Sequence, residues 1–151
     1  MVMTSPVARM ALVPCILIAV LAFSGCTSAK DTEISQQLQE LQDAAGSMET
    51  ATQRLSSEDW KTVVPQIKQD QKAASSAAIV LESSLLDAGS SYTSASTLAT
   101  IVKEDVYQID QALELYGSAD DWSSATTRLI RSVQTLSSDM EPLEMEIRSS
   151  Q

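Results

Sequence analysis

Apolar residues recur along most of the chain at alternating spacings of four and three residues, beginning at Ile34. Such a seven-residue repeat gives each helix one apolar stripe and is typical of helices packed side by side in a left-handed supercoil. Only three of the 31 stripe positions are polar, and no stretch shows the period of two expected for a half-buried strand. The stripe positions are Ile34, Leu38, Leu41, Ala45, Met48, Thr52, Leu55, Trp60, Val64, Ile67, Gln71, Ala74, Ala78, Leu81, Leu85, Ala88, Ala95, Ala99, Val102, Val106, Ile109, Leu113, Tyr116, Trp122, Thr126, Leu129, Val133, Leu136, Met140, Leu143 and Ile147.

Turn-forming residues divide the pattern into four predicted helices, near residues 32–55, 58–88, 92–116 and 120–148. Residues 56–59 (SSED) offer an N-cap and early acids, and Gly89 suits the left-handed conformation that ends many helices. Pro65 and Pro142 fall inside helices and are expected to kink or break them locally. Because short loops make successive helices antiparallel neighbours, the sequence predicts an all-α, up-down-up-down four-helix bundle over residues 32–151.

The two halves of the bundle have similar turns. Residues 56–60 (SSEDW) and 118–122 (SADDW) each place an acidic pair and a tryptophan at the start of a helix. This similarity is compatible with two duplicated helical hairpins, or with two hairpins that merely need similar caps. Trp60 and Trp122 are expected to close the same end of the core.

The amino-terminal segment has the order of a secretory signal. Arg9 precedes residues 10–23, which are 14 apolar positions without a charge, and small residues follow. A membrane-spanning helix needs about 20 residues, so this run is short for a span. An ordinary secretory signal and an uncleaved membrane anchor both remain compatible with the pattern.

Ser24-Gly25-Cys26 resembles the lipobox of prokaryotic lipoproteins. The resemblance implies that the bond between Gly25 and Cys26 is cut, which removes residues 1–25 as a signal peptide. It also implies that the thiol of Cys26 carries a diacylglycerol with fatty acids such as palmitate, anchoring the protein in a membrane. Thr27, where an inner-membrane protein tends to have Asp, implies the outer membrane if the source is Gram-negative. Residues 26–31 would then form a short tether.

Composition excludes several classes of function. The chain has 20 acidic and 10 basic side chains, a net charge of −10, and no basic stripe that would bind nucleic acid. It has no histidine, which excludes Ser-His-Asp triads and histidine-based zinc or di-iron sites. Clustered carboxylates such as Glu104, Asp105 and Asp110 are expected on a solvated face. We expect no catalytic residue, no metal and no cofactor.

Gln71 is a polar residue within the predicted stripe. A buried amide can fix helix register, and Gln71 could instead line a small ligand cavity. The sequence predicts a non-enzymatic envelope lipoprotein, structural or protein-interacting in role, with the lipid membrane and an envelope protein as partners. The alternative is an extracytoplasmic bundle that binds or senses a ligand. The stripes leave the oligomeric state open.

Overall fold

A computed structural model describes residues 29–55, 58–116 and 122–151, and nearly all of these residues are helical. The helices are α1 (Ala29–Arg54), α2 (Trp60–Ala88), α3 (Thr93–Leu115) and α4 (Trp122–Ser150), and a 3-10 turn at Ser90–Tyr92 precedes α3. No strand occurs in these three ranges. Successive helices pack against each other, and α1 also packs against α4, which closes an antiparallel four-helix bundle. The predicted fold class is confirmed.

The predicted apolar stripe forms the core of the bundle. Its residues are buried on all four helices except at positions near helix ends, and Tyr92 extends the stripe by one position before α3. A residue buried at every third or fourth position makes each helix contribute one continuous face to a common interior. The stripe positions that are not fully buried are Leu55, Trp60, Ala88, Trp122 and Thr126.

A second column of buried residues, which we call the flanking column, lies immediately before stripe positions along the chain. Its small side chains let the two helices of a hairpin approach closely, and α1 meets α2 and α3 meets α4 over the most extensive contacts of the bundle. The stripe alone did not predict this column. Its fully buried members are Ala44, Ala51, Val63, Ala77, Ala112 and Ala125.

Two residues define the ends of α2. Asp59 is the N-cap of α2, and its Oδ1 accepts a hydrogen bond from the Lys61 backbone N–H at 3.0 Å. Gly89 follows α2 with φ 96° and ψ −160°, a region essentially restricted to glycine. Gly89 therefore permits the sharp reversal into α3.

Helix α1 begins at Ala29, three residues before the predicted start near residue 32. Residues 29–31, predicted as part of the tether, are therefore helical. Two contacts stabilise this extra turn: Lys30 Nζ donates to the Asp87 carbonyl at 2.7 Å, and the Tyr92 hydroxyl donates to Asp31 Oδ1 at 2.7 Å. These partners lie near the α2–α3 turn, so local sequence around residue 30 could not reveal them.

The predicted breaks at Pro65 and Pro142 do not occur, because α2 and α4 continue through both residues. Each proline removes one backbone hydrogen bond to the carbonyl four residues earlier. Those carbonyls belong to Lys61 and Ser138, both exposed residues. Water can therefore satisfy the freed acceptors.

Candidate functional site

An open groove of about 710 Å³ runs along the outer surface between α1 and α2. Its apolar lining consists of Ala44, Ala73, Ala77 and Val80. Ala44 and Ala77 belong to the flanking column and are buried, whereas Val80 is 40% exposed, a large fraction for an aliphatic side chain. The groove thus combines a well-packed floor with an apolar side chain that remains in contact with water.

Acidic side chains form both rims of this groove. Glu40 and Asp43 line it from α1, and Asp70 lines it from α2. Ser47 Oγ donates to Asp70 Oδ2 at 2.7 Å, a bond that joins the two helices at one end of the groove. The rims follow from the helical repeat, which places these carboxylates beside the small residues of the floor.

The rim carboxylates lack cationic partners within the described ranges. Glu40, Asp43 and Asp70 each accept a hydrogen bond from a neutral Gln or Ser side chain, at 2.7–3.0 Å. The ion pairs of the same ranges lie elsewhere; for example, Lys103 pairs with Glu82 across α2 and α3. The hydrogen bond from Lys103 lowers the pKa of the Glu82 carboxyl below its usual value. The groove is therefore a region of uncompensated negative charge.

An aromatic cluster closes the end of the bundle that contains the α1–α2 and α3–α4 turns. The indole rings of Trp60 and Trp122 stack with centroids 4.4 Å apart, and Tyr116 packs against both rings at 6.0 and 5.6 Å. The Tyr116 hydroxyl also hydrogen-bonds the Thr126 hydroxyl at 2.5 Å. The expectation that Trp60 and Trp122 close the same end of the core is confirmed.

Two described carboxylates beside the aromatic cluster have partners. Glu58 forms an ion pair with Arg54 at 2.7 Å, and the hydrogen bond from Arg54 lowers the pKa of the Glu58 carboxyl. Asp59 caps α2. The charge of Glu58 is thus compensated by Arg54, whereas the rim carboxylates of the groove accept hydrogen bonds from neutral side chains.

A carboxyl pair interrupts the interface between α3 and α4. Asp105 occupies a flanking-column position on α3, and its Oδ2 is buried without a donor among the described residues. Burial raises the pKa of Asp105 to about 6, assisted by a hydrogen bond and repulsion from Asp139 on α4 and by repulsion from Glu104. The expectation that Asp105 lies on a solvated face is therefore wrong, because residues on α4 cover it.

Gln71 is buried at 6% exposure, as its place in the stripe requires. Its Nε2 donates to the Val106 carbonyl of α3 at 3.4 Å, so the amide has one protein partner inside the core. A bond between α2 and α3 fits the register hypothesis for Gln71. The seven-residue repeat indicated that Gln71 is buried, but it could not indicate which helix would accept the hydrogen bond from its amide.

Cys26, Gly25 and the apolar run at residues 10–23 lie outside the described residues. Within the described ranges, no helix has the length and hydropathy needed to cross a bilayer. Those ranges also contain no group of three or more residues able to hold a metal ion.

The acidic groove and the Asp105–Asp139 pair were not predicted from the sequence, since both need the relative placement of two helices. Ala44 and Ala77 are buried between α1 and α2. Ala73 is exposed and lines the groove instead. Acids flanking a run of small residues on both helices were the available signal.

No family model, curated protein or solved structure matches this chain.

Proposed function

We propose that this protein is an envelope lipoprotein, anchored through lipid on Cys26, whose four-helix bundle binds another envelope protein. The anchoring part rests on the lipobox-like Ser24-Gly25-Cys26 after the short apolar run. Two acyl chains on one cysteine anchor a protein stably, because each buried methylene contributes about 0.8 kcal/mol.

The start of α1 supports a position close to the membrane. Ala29, the first residue that the structure describes, lies in α1, and only Thr27 and Ser28 stand between it and Cys26. Three residue steps of extended chain reach about 10 Å at most. The end of the bundle that contains Ala29 and Gly89 would lie near the headgroups, and the aromatic cluster would lie about 40 Å along α1 from it.

The single observation that carries the interaction role is the α1–α2 groove. A bundle used only as a spacer would gain from covering Val80 and from pairing Glu40, Asp43 and Asp70 with cations. Carboxylates that have no cationic partner among the described residues, beside the exposed Val80, instead offer a partner both complementary charge and an apolar contact. A partner that met this groove would bury Val80 and compensate the acids.

A second candidate is the sensing bundle, with the proton as its ligand. The Asp105–Asp139 pair favours it, because burial and mutual repulsion make Asp105 take up a proton near pH 6. Such uptake would alter the α3–α4 interface. The groove lies on the other hairpin and supports the interaction role independently.

The anchor and the interaction role have separate tests. The Cys26→Ser variant should lose metabolic labelling by palmitate and should leave the membrane fraction, while Cys15→Ser should behave as wild type. Retention of label and membrane association by Cys26→Ser would contradict the anchor. For the interaction role, the anchored chain carrying a photo-crosslinker on an exposed helix face should give a discrete adduct with an envelope protein.

A further inference from the structure

We infer that the α1–α2 groove binds a basic amphipathic helix, about three turns long, of the envelope partner protein. The inference rests on the proposed interaction role and specifies its site and the chemistry of its partner. It depends on three properties of the groove, namely its length, its apolar floor and the charge of its two rims.

The length of the groove matches a short helix. Its lining on α1 extends from Gln37 to Ser47, and its lining on α2 extends from Asp70 to Val80. At 1.5 Å per residue each stretch is about 15 Å long, which is close to three helical turns. A helix laid along the groove would present apolar residues at spacings of three and four, as helix-in-groove complexes do.

The side chains of the groove floor determine which apolar residues the partner helix can place against it. Ala44, Ala73 and Ala77 have small side chains, so they admit the tips of Leu, Val or Ala residues from the partner. Val80 is 40% exposed and would be covered by the same stripe. Covering this small apolar area adds to the attraction exerted by the charged rims.

The rims determine the charge of the partner. Glu40 and Asp43 on α1 and Asp70 on α2 place carboxylates on both sides of the floor. A helix with Lys or Arg on both flanks of its apolar stripe would meet a carboxylate on each side. Long basic side chains can lie along the apolar floor while their charged ends reach the rims.

The same charges disfavour other occupants. Anionic lipid and nucleic acid would be repelled by the rims. A second copy of this chain carries a net charge of −10 and would bring further acidic surface to the groove. The wild-type groove is therefore selective for a basic segment.

Peptide binding provides the direct test, using the full acylated chain in nanodiscs of zwitterionic phosphatidylcholine. The probe is a synthetic helix of about five turns with a Leu/Ala stripe flanked by Lys. Two matched peptides carry Glu in place of Lys, or the same Lys-containing composition scrambled so that no stripe forms. We expect saturable binding of the first peptide alone, measured by titration calorimetry after subtraction of empty nanodiscs.

Two variants locate the binding. The double variant Glu40→Lys/Asp43→Lys should bind the basic peptide about tenfold more weakly or worse, a loss of at least 1.4 kcal/mol. Glu104→Lys/Glu114→Lys makes the same change in net charge at exposed positions on α3 and should bind as wild type does. Equal losses in both variants, or equal binding of all three peptides, would overturn the inference.

Filling the groove tests its apolar floor. Ala73→Trp places a large side chain at an exposed position and should reduce binding of the basic peptide about tenfold. Ser83→Trp, also exposed on α2, is the matched control and should leave binding unchanged. Circular dichroism and thermal melting verify that each variant stays folded; unchanged binding by folded Ala73→Trp would contradict the inference.

Crosslinking in the native envelope separates this inference from the proposed function. A photo-crosslinker at Ala73 of the anchored chain should capture a peptide containing a basic amphipathic helix, whereas one at Tyr107 on α3 should not. Capture only from Tyr107 would leave the interaction role standing and would overturn the groove as its site. Capture of lipid or of a second copy from Ala73 would overturn the basic-helix assignment, and failure of both positions would contradict the interaction role itself.

Discussion

The carboxyl groups of Asp105 on α3 and Asp139 on α4 meet within hydrogen-bonding reach inside the second hairpin. Asp105 lies 61 residues after Ala44, and Asp139 lies 62 residues after Ala77. The same offsets relate Leu55 to Tyr116 and Trp60 to Trp122. The second hairpin therefore has a proton-binding pair where the first has two alanines, and the pair can form its hydrogen bond only when one carboxyl is protonated.

This pair should make the bundle lose stability as pH rises. The pKa of Asp105 is raised from 3.8 to about 6 in the folded chain, so its contribution is complete below about pH 4 and is lost as pH rises through 6. One pKa unit corresponds to 1.36 kcal/mol, which gives an effect on the order of 1–3 kcal/mol for this partly buried group. Asp105→Asn, whose amide can donate to Asp139 at any pH, should be more stable than wild type at pH 7.5. Urea unfolding at pH 4.5 and pH 7.5 measures the difference.

The control for this prediction is Glu114→Gln, which also removes one carboxylate charge, at an exposed position on α3. Its stability relative to wild type should change little between the two pH values. Comparing variants at each pH also removes the contribution of general charge repulsion, which falls as the other carboxylates are protonated. Parallel pH profiles for wild type and Asp105→Asn would rule out a protonated pair.

Two glycines should respond to alanine in opposite directions. Gly89 adopts φ 96° and ψ −160°, where a Cβ is strained even though no atom lies within 4 Å of it. Gly89→Ala should therefore lower the free energy of unfolding by about 1–3 kcal/mol. Gly46 lies in the middle of α1 with open space around its Cα, so Gly46→Ala should raise stability by about 0.5–1 kcal/mol. Thermal melting of the pair should give midpoints on opposite sides of wild type; a shift in the same direction would contradict the assigned conformations.

The stacked indoles of Trp60 and Trp122 should be energetically coupled. Trp60→Ala removes a partly buried ring and should cost about 2–4 kcal/mol, whereas Trp122→Ala should cost less because that ring is 40% exposed. A double-mutant cycle should give a coupling of about 0.5–1.5 kcal/mol. Trp122→Phe should keep part of the coupling. Additive single losses would mean that the two rings act independently.

Gln71 should matter for register more than for stability. Its hydrogen bond to the Val106 carbonyl is long at 3.4 Å, so replacement by the similarly shaped Met should change the free energy of unfolding by less than about 1 kcal/mol. Gln71→Ala leaves a cavity in the core and should cost about 2 kcal/mol or more. Guanidinium unfolding compares the two variants. A large loss in Gln71→Met would show that the amide bond itself stabilises the fold.

Most of the fold could be predicted from the stripe of apolar residues, because a seven-residue repeat specifies which face of each helix is buried. The turn at Gly89 was also predictable, although its φ and ψ are not those of the left-handed region that the sequence suggested, and the N-cap of α2 is Asp59, which was expected among the early acids. The start of α1 was not predictable, since its first turn depends on Asp87 and Tyr92, which are distant in sequence.

The features of the candidate site could not be read from one helix at a time. Burial of Ala44 or Asp105 depends on how closely the neighbouring helix approaches, and that distance is set by residues on both helices. The sequence of one helix therefore does not distinguish an acidic residue in the flanking column from an acidic residue that is exposed to solvent. Only the packing of α4 over Asp105 distinguishes it from Glu104, which is exposed one residue earlier.

The contacts at the first turn of α1 have a mechanical consequence. Lys30 and Asp31 tie that turn to Asp87 and Tyr92, next to the reversal between α2 and α3. A pulling force applied at Cys26 would therefore be transmitted to both hairpins at once. It would not separate α1 from the bundle starting at the first residue of the helix. The Tyr92 hydroxyl also resists deprotonation, because burial and the hydrogen bond to Asp31 raise its pKa to about 12. The hydrogen bond from Tyr92 to Asp31 should therefore persist until the pH approaches that value.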